Sequence, residues 1–184
     1  MAIADRPVRR LVTVDGVDGR SHMLQDAPLT DDVLRDPARP GFSLTRVWAT
    51  DRTPAIALAA QQVRDMAASL GAPAGGAVFR ILVLPPDASW QGKVGREQVQ
   101  AFFARAGSPE ACCWSGDAPH PYMQKTRTLD LCVVLEGEPT LVLDHDRLTL
   151  APTDTVVQRA TRHAWSNRTG TPCVIAISSH DAQA

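Results

Sequence analysis

The chain lacks an excess of charge of either sign. Its 184 residues carry 19 Lys and Arg against 20 Asp and Glu, a formal net charge of -1. That balance removes the basic footprint a phosphate backbone requires, so nucleic acid is not an expected partner. Long apolar runs are missing as well. No segment approaches the roughly 18 residues of a membrane span, and Met1 to Arg10 carries charges with no apolar stretch behind them. No membrane partner is expected, and the expected location is the cytoplasm. The four cysteines, Cys112, Cys113, Cys132 and Cys173, form no doubled C-x-x-C pattern, which speaks against a structural zinc site and for reduced, mostly buried thiols. A chain of this length buries roughly 70% of the surface its unfolded form exposes, so its core needs neither disulfides nor a metal. Repeats of fixed period and low-complexity linkers are also absent, and residues 1–184 read as a single domain.

What is present is punctuation. The 14 prolines and 12 glycines cut the chain into pieces mostly too short for helices, which favours a β-rich architecture. Val8 to Val14 and Ser21 to Leu24 flank Asp15-Gly16-Val17-Asp18-Gly19 and predict a hairpin. Leu29 to Pro40, rich in Asp and Pro, reads as a loop; Phe42 to Trp48 alternates and reads as a half-buried strand. Ala77 to Leu84, closed by Pro85-Pro86, is apolar enough to be a buried strand. Two segments read as helices: Ala55 to Leu70, ending at Gly71 ahead of Pro73, and Arg96 to Ala106, with Val99, Phe102 and Phe103 on one face. The last third gives six short strand-like runs, Leu131–Leu135, Pro139–Leu143, Arg147–Leu150, Thr155–Gln158, Ala164–Ser166 and Pro172–Ser178, separated by turn signals. Such spacing indicates an antiparallel sandwich or barrel.

That last third carries a resemblance. Thr126-x-Thr128-Leu129-Asp130 through Gly137, then Pro152-x-Asp154, then His163-Ala164-Trp165-x-Asn167, is similar to the paired motifs of the cupin superfamily. In that superfamily the first motif has the form G-x5-H-x-H-x3,4-E-x6-G and the second P-x-G-x2-H-x3-N. On this chain the first motif's two His positions hold Gln124 and Thr126, its Glu position Asp130 and its final Gly position Gly137. The second motif's P-x-G becomes Gln158-Arg159-Ala160, while His163 and Asn167 take its His and Asn. The resemblance implies an all-β cupin jelly-roll barrel, with 111–184 as the barrel core and 1–110 as an N-terminal extension holding strands and one or two short helices. It also implies a homodimer, since in small cupins the N-terminal strand often pairs with a partner's sheet.

The retained residues define the chemistry expected. One imidazole and one carboxylate, His163 and Asp130, make an acid/base pair whose proton affinities burial would shift. Gln124 and Thr126, facing inward while Lys125 and Arg127 face solvent, would orient a carbonyl or hydroxyl substrate, with Trp165 as packing or pocket wall. The leading expectation is lyase-, isomerase- or cyclase-type proton transfer on a small organic metabolite, with no cofactor required. Two alternatives stand beside it. One is a metal-dependent dioxygenase or decarboxylase, with His163, Asp130 and Gln124 holding a weakly bound divalent ion, since amide and hydroxyl oxygens suit hard ions better than zinc or iron. The other is a non-catalytic module that captures a small molecule. Trp48, Phe79, Trp90, Phe102 and Trp114 are unranked candidates for the pocket mouth, and His120-Pro121 reads as a loop.

Overall fold

The computed structural model describes residues 2–57 and 66–183. Eleven strands and one α-helix occur among them. A hairpin, β1 (Arg9–Asp15) and β2 (Ser21–Pro28), opens the chain, followed by β3 (Val33–Arg35), β4 (Ser43–Thr50) and β5 (Ala77–Leu84). The helix α1 (Arg96–Arg105) precedes β6 (Thr128–Glu136), β7 (Thr140–Val142), β8 (Arg147–Thr149), β9 (Thr155–Arg159), β10 (Ala164–Ser166) and β11 (Cys173–Asp181). The helix expected over Ala55–Leu70 falls largely on 58–65, outside the described residues; its flanks, 55–57 and 66–70, are not helical. The Asp- and Pro-rich loop expected at Leu29–Pro40 contains β3, three residues held by antiparallel pairing to β4.

All pairings are antiparallel. Six strands in the order β3-β4-β5-β11-β6-β9 form one sheet, β10-β7-β8 form a second, and β1-β2 stand apart as a two-stranded ribbon. Single bridges from Cys112 to Gln124 and from Gln124 to His163 extend the second sheet. The hydrogen bonding therefore makes an open sandwich of two facing sheets rather than a closed barrel. Half of the large sheet comes from the first 110 residues, so the N-terminal stretch is built into the sandwich.

Strand alternation decides which side chains face the second sheet. On β5 the sequence Ala77-Val-Phe-Arg-Ile-Leu-Val-Leu84 buries Val78, Arg80, Leu82 and Leu84, and on β6 Thr128, Asp130, Cys132 and Val134 are buried. The intervening Phe79, Leu129, Leu131 and Leu135, with Val157 of β9, are exposed on the outer face. α1 closes one end by inserting Val99, Phe102 and Phe103, all buried. Phe102 meets Phe42 and Tyr122 edge-on, with ring centroids 5.3 and 5.5 Å apart. Each such aromatic side chain contributes on the order of 2 kcal/mol by leaving water.

Two motif positions explain themselves in backbone terms. Gly137 follows β6 at φ +79°, and a Cβ there would lie 2.6 Å from Cys173 Sγ, a position open to glycine alone. Ala160, on the second motif's glycine position, keeps the left-handed conformation at φ 53°. Asn167 is fully buried and clamps the turn before β11, donating through Nδ2 to the carbonyls of Leu84 and Thr171 at 3.1 and 2.8 Å and accepting from Thr169. No helix among the described residues is long and apolar enough to cross a membrane.

Candidate functional site

A cavity of about 690 Å³, its open mouth included, lies between the two sheets. Gln124, Thr126, Asp130, His163 and Trp165, the five residues singled out by sequence, all line it. β6 supplies Asp130 from the large sheet; β10 and the bridge residues before it supply Trp165, His163 and Gln124 from the small one. Only Gln124 of the 124–127 stretch makes a strand-like bridge, so the inward facing of Gln124 and Thr126 comes from a bridge and a loop rather than from a continuous strand.

The imidazole of His163 has a fixed orientation. Its Nδ1 donates to the carbonyl of Thr161 at 2.9 Å, which leaves the Nε2 lone pair to accept from the Gln124 amide at 3.2 Å. Burial pushes its proton affinity below the ordinary histidine range, against the opposing pull of the Thr161 carbonyl and the Asp130 charge. His163 is neutral at pH 7. Asp130 is 7% exposed and its Oδ1 is buried with no hydrogen-bond partner. No hydrogen bond joins Asp130 to His163, so the two act on the same space without satisfying each other. Thr126 Oγ1 shares a hydrogen bond with Thr128 Oγ1 at 2.7 Å, and the Trp165 ring stands edge-on to His163, 6.5 Å away.

Several lining residues carried no functional reading in the sequence. Arg80 of β5 is 5% exposed, and its guanidinium donates to Ser179 Oγ and to the carbonyls of Ser69 and Gly71. Burial lowers its proton affinity to about 10, with the Asp130 charge opposing, so it remains a cation. Arg39 is 4% exposed and ion-paired to Asp36 at 2.8 Å, yet its Nη2 is buried without a partner. Its guanidinium lies over the rings of Tyr122 and Phe42, 3.5 and 3.9 Å from the centroids. Asp36 in turn accepts from Tyr122 Oη at 2.8 Å and from Arg105 at 3.1 Å. Burial pushes the Cys132 thiol, also in the cavity wall, up to about 12, which keeps it protonated. Of the aromatic residues considered for the mouth, Phe102 lines this cavity. Phe79 is exposed on the outer face, Trp48 sits under Arg10, and Trp90 is buried against Tyr122.

The donor set does not fit a catalytic divalent metal. No three His, Cys, Asp or Glu side chains converge among the described residues. His163 offers one imidazole lone pair, and the buried Arg80 cation acts electrostatically on Asp130. His163, Asp130 and Gln124 therefore offer too few strong ligands beside two guanidinium groups.

His120 lies in the loop expected there and is buried near this site. Tyr122 N–H donates to its Nδ1 at 3.1 Å, and its Nε2 is buried without a partner. Burial first, then the charges of Arg39 and Arg168, lowers its proton affinity to about 4. The unfolded chain, with an ordinary histidine near pH 6.5, thus takes up this proton before the folded one does. Stability falls as pH drops from about 6.5 to about 4, by on the order of 3 kcal/mol. Urea unfolding of the wild type and His120→Gln across that window should show the variant losing less stability; parallel curves would contradict it.

Neither a protein-family model nor a curated protein matches the sequence. Solved structures do resemble it in fold. A Cupin 2 conserved barrel domain protein from Salinispora arenicola is 16% identical with TM-score 0.43, covering 86% of this chain and 90% of its own. A putative ethanolamine utilization protein from Salmonella typhimurium is 10% identical with TM-score 0.45, covering 97% and 99%. The Cnp3 cupin domain of Schizosaccharomyces pombe is 4% identical with TM-score 0.46, covering 94% and 87%. The facing antiparallel sheets, the glycine that closes the first motif and the left-handed residue in the second agree with what the cupin resemblance of the sequence implies.

Proposed function

We propose that the chain is an acid–base enzyme of the isomerase or lyase type acting on a small hydroxyl- or carbonyl-bearing metabolite, with no metal required. The observation that carries this is the unpartnered Oδ1 of Asp130, buried beside a neutral imidazole in a cavity walled largely by apolar side chains. A carboxylate in such a place needs a proton donor to answer it, and a bound substrate supplies one. In an isomerisation of an α-hydroxy carbonyl compound, Asp130 takes the carbon-bound proton and returns it to the adjacent carbon. His163 Nε2 takes the hydroxyl proton and returns it to the former carbonyl oxygen. No proton or electron is left over. Gln124 and Thr126 orient the two oxygens.

The test is incubation with a panel of small α-hydroxy carbonyl compounds in deuterium oxide, read by proton NMR. Loss of a carbon-bound proton signal with the wild type but not with Asp130→Asn supports the reading. Ligand binding without exchange would instead favour a module that only captures its ligand.

A homodimer forms part of the same proposal. The β1–β2 ribbon half-buries one face through Arg10, Val12 and Val14 and leaves Leu11, Met23 and Leu24 more than half exposed, and a two-stranded ribbon is marginal without a covering surface. The exposed leucines of β6 and Val157 offer a self-complementary face of the kind a two-fold pair uses. Light scattering should give twice the chain mass for the wild type and the monomer mass for Leu131→Glu; a wild-type monomer would contradict the pairing.

A further inference from the structure

The cavity contains two unanswered polar groups of opposite sense. Arg39 Nη2 is a donor without an acceptor and Asp130 Oδ1 an acceptor without a donor; both are buried, and both residues line the same wall-to-wall space. Buried polar atoms left unpaired each cost on the order of 1–3 kcal/mol, and native chains rarely retain them without a use. The other guanidinium donors and the amide here are already engaged. The Arg80 donors go to Ser179, Ser69 and Gly71, the Arg39 Nε to Asp36, and the Gln124 amide to His163.

The geometry points to a small hydroxycarboxylate as the ligand class, its carboxylate on Arg39 Nη2 and its hydroxyl donating to Asp130 Oδ1, with its carbon skeleton against Leu82, Leu84 and Phe102. This rests on the preceding section only for the cavity being the functional site. Arg39 suits the anchoring role because four things hold it: the Asp36 ion pair and the faces of Phe42, Phe102 and Tyr122. A guanidinium so fixed is pre-organised and loses little freedom on binding. One free donor matches a singly charged carboxylate better than a phosphate dianion, which the nearby Asp130 would also repel. At the other end, Arg80 couples electrostatically to Asp130 and opposes an ammonium group, which leaves a neutral hydroxyl as the donor.

The test uses the full chain and calorimetric titration with lactate, β-hydroxybutyrate and mandelate. The controls are the matching acids without the hydroxyl, propionate, butyrate and phenylacetate, and the methyl esters of the three hydroxy acids. At least one hydroxy acid should bind with Kd below about 10 mM, and its deoxy acid and its ester at least about tenfold more weakly. Asp130→Asn should shrink the preference for the hydroxyl while keeping that for the carboxylate, and Arg39→Gln should do the reverse. If Arg39→Gln does not fold, the acid-against-ester comparison on the wild type decides. An ester that binds as tightly as its acid, or no binding by any hydroxy acid, overturns the proposal. Selective binding without proton exchange would leave this inference standing and remove the acid–base reading; exchange on uncharged carbonyl compounds with no preference for acids would do the opposite.

Discussion

Asp130→Asn should lower turnover by about 10²- to 10⁴-fold, the range a positioned general base contributes, while circular dichroism and unfolding midpoint stay close to wild type. The asparagine fills the same volume in β6 and can still accept a hydrogen bond, so the inner face of the large sheet keeps its packing. What it loses is the negative charge and the ability to hold a proton taken from carbon. The Arg80 cation, which couples to Asp130 along the inner face of the large sheet, would lose its counter-charge but keeps its bonds to Ser179, Ser69 and Gly71. His163→Ala should reduce turnover as well, with a second effect: Gln124 then loses the lone pair that fixes its amide. Steady-state kinetics on the compound found by deuterium exchange checks both. Wild-type rates in Asp130→Asn would contradict the role given to the carboxylate.

The second large effect falls on stability. Asp36 is 3% exposed and answers two cations and a phenol: Arg39 at 2.8 Å, Arg105 at 3.1 Å and Tyr122 Oη at 2.8 Å. Asp36→Ala would leave the Arg39 charge buried with no counter-ion, a loss of about 3–5 kcal/mol. Asp36→Asn, which still accepts from Tyr122, should lose less. The same change should weaken ligand binding, because Arg39 is aimed by this ion pair. Urea unfolding with linear extrapolation measures it; a loss under about 1 kcal/mol in Asp36→Ala would mean that the network is not what holds the loop before β4 to α1.

Much of this was legible in the sequence, for local reasons. β5 runs from Ala77 to Leu84 as read, because an apolar stretch ending at Pro85-Pro86 has nowhere to continue. The short strands of the last third follow their turn signals to within a few residues. The three-residue β3 was not legible, since Val33-Leu34-Arg35 is fixed by its partner β4 and not by its own pattern. Within the site, motif spacing pointed to Gln124, Thr126, Asp130, His163 and Trp165, and all five line one cavity. Arg80 also had a local sign, a lone charge at an inward position of a buried strand. Arg39, Asp36 and Tyr122 had none: Tyr122 and Asp36 meet across 86 residues of chain, and no spacing rule reports such a contact. The hydrogen bonds that orient the His163 imidazole, to Thr161 and Gln124, had no sign in the motif spacing.

The most direct measurement is a crystal structure of the protein soaked with the tightest-binding hydroxy acid. Density for the acid is expected in the cavity between the sheets, with a carboxylate oxygen about 3 Å from Arg39 Nη2 and the hydroxyl about 3 Å from Asp130 Oδ1. An acid bound elsewhere, with Arg39 Nη2 and Asp130 Oδ1 answered by water alone, would contradict the account.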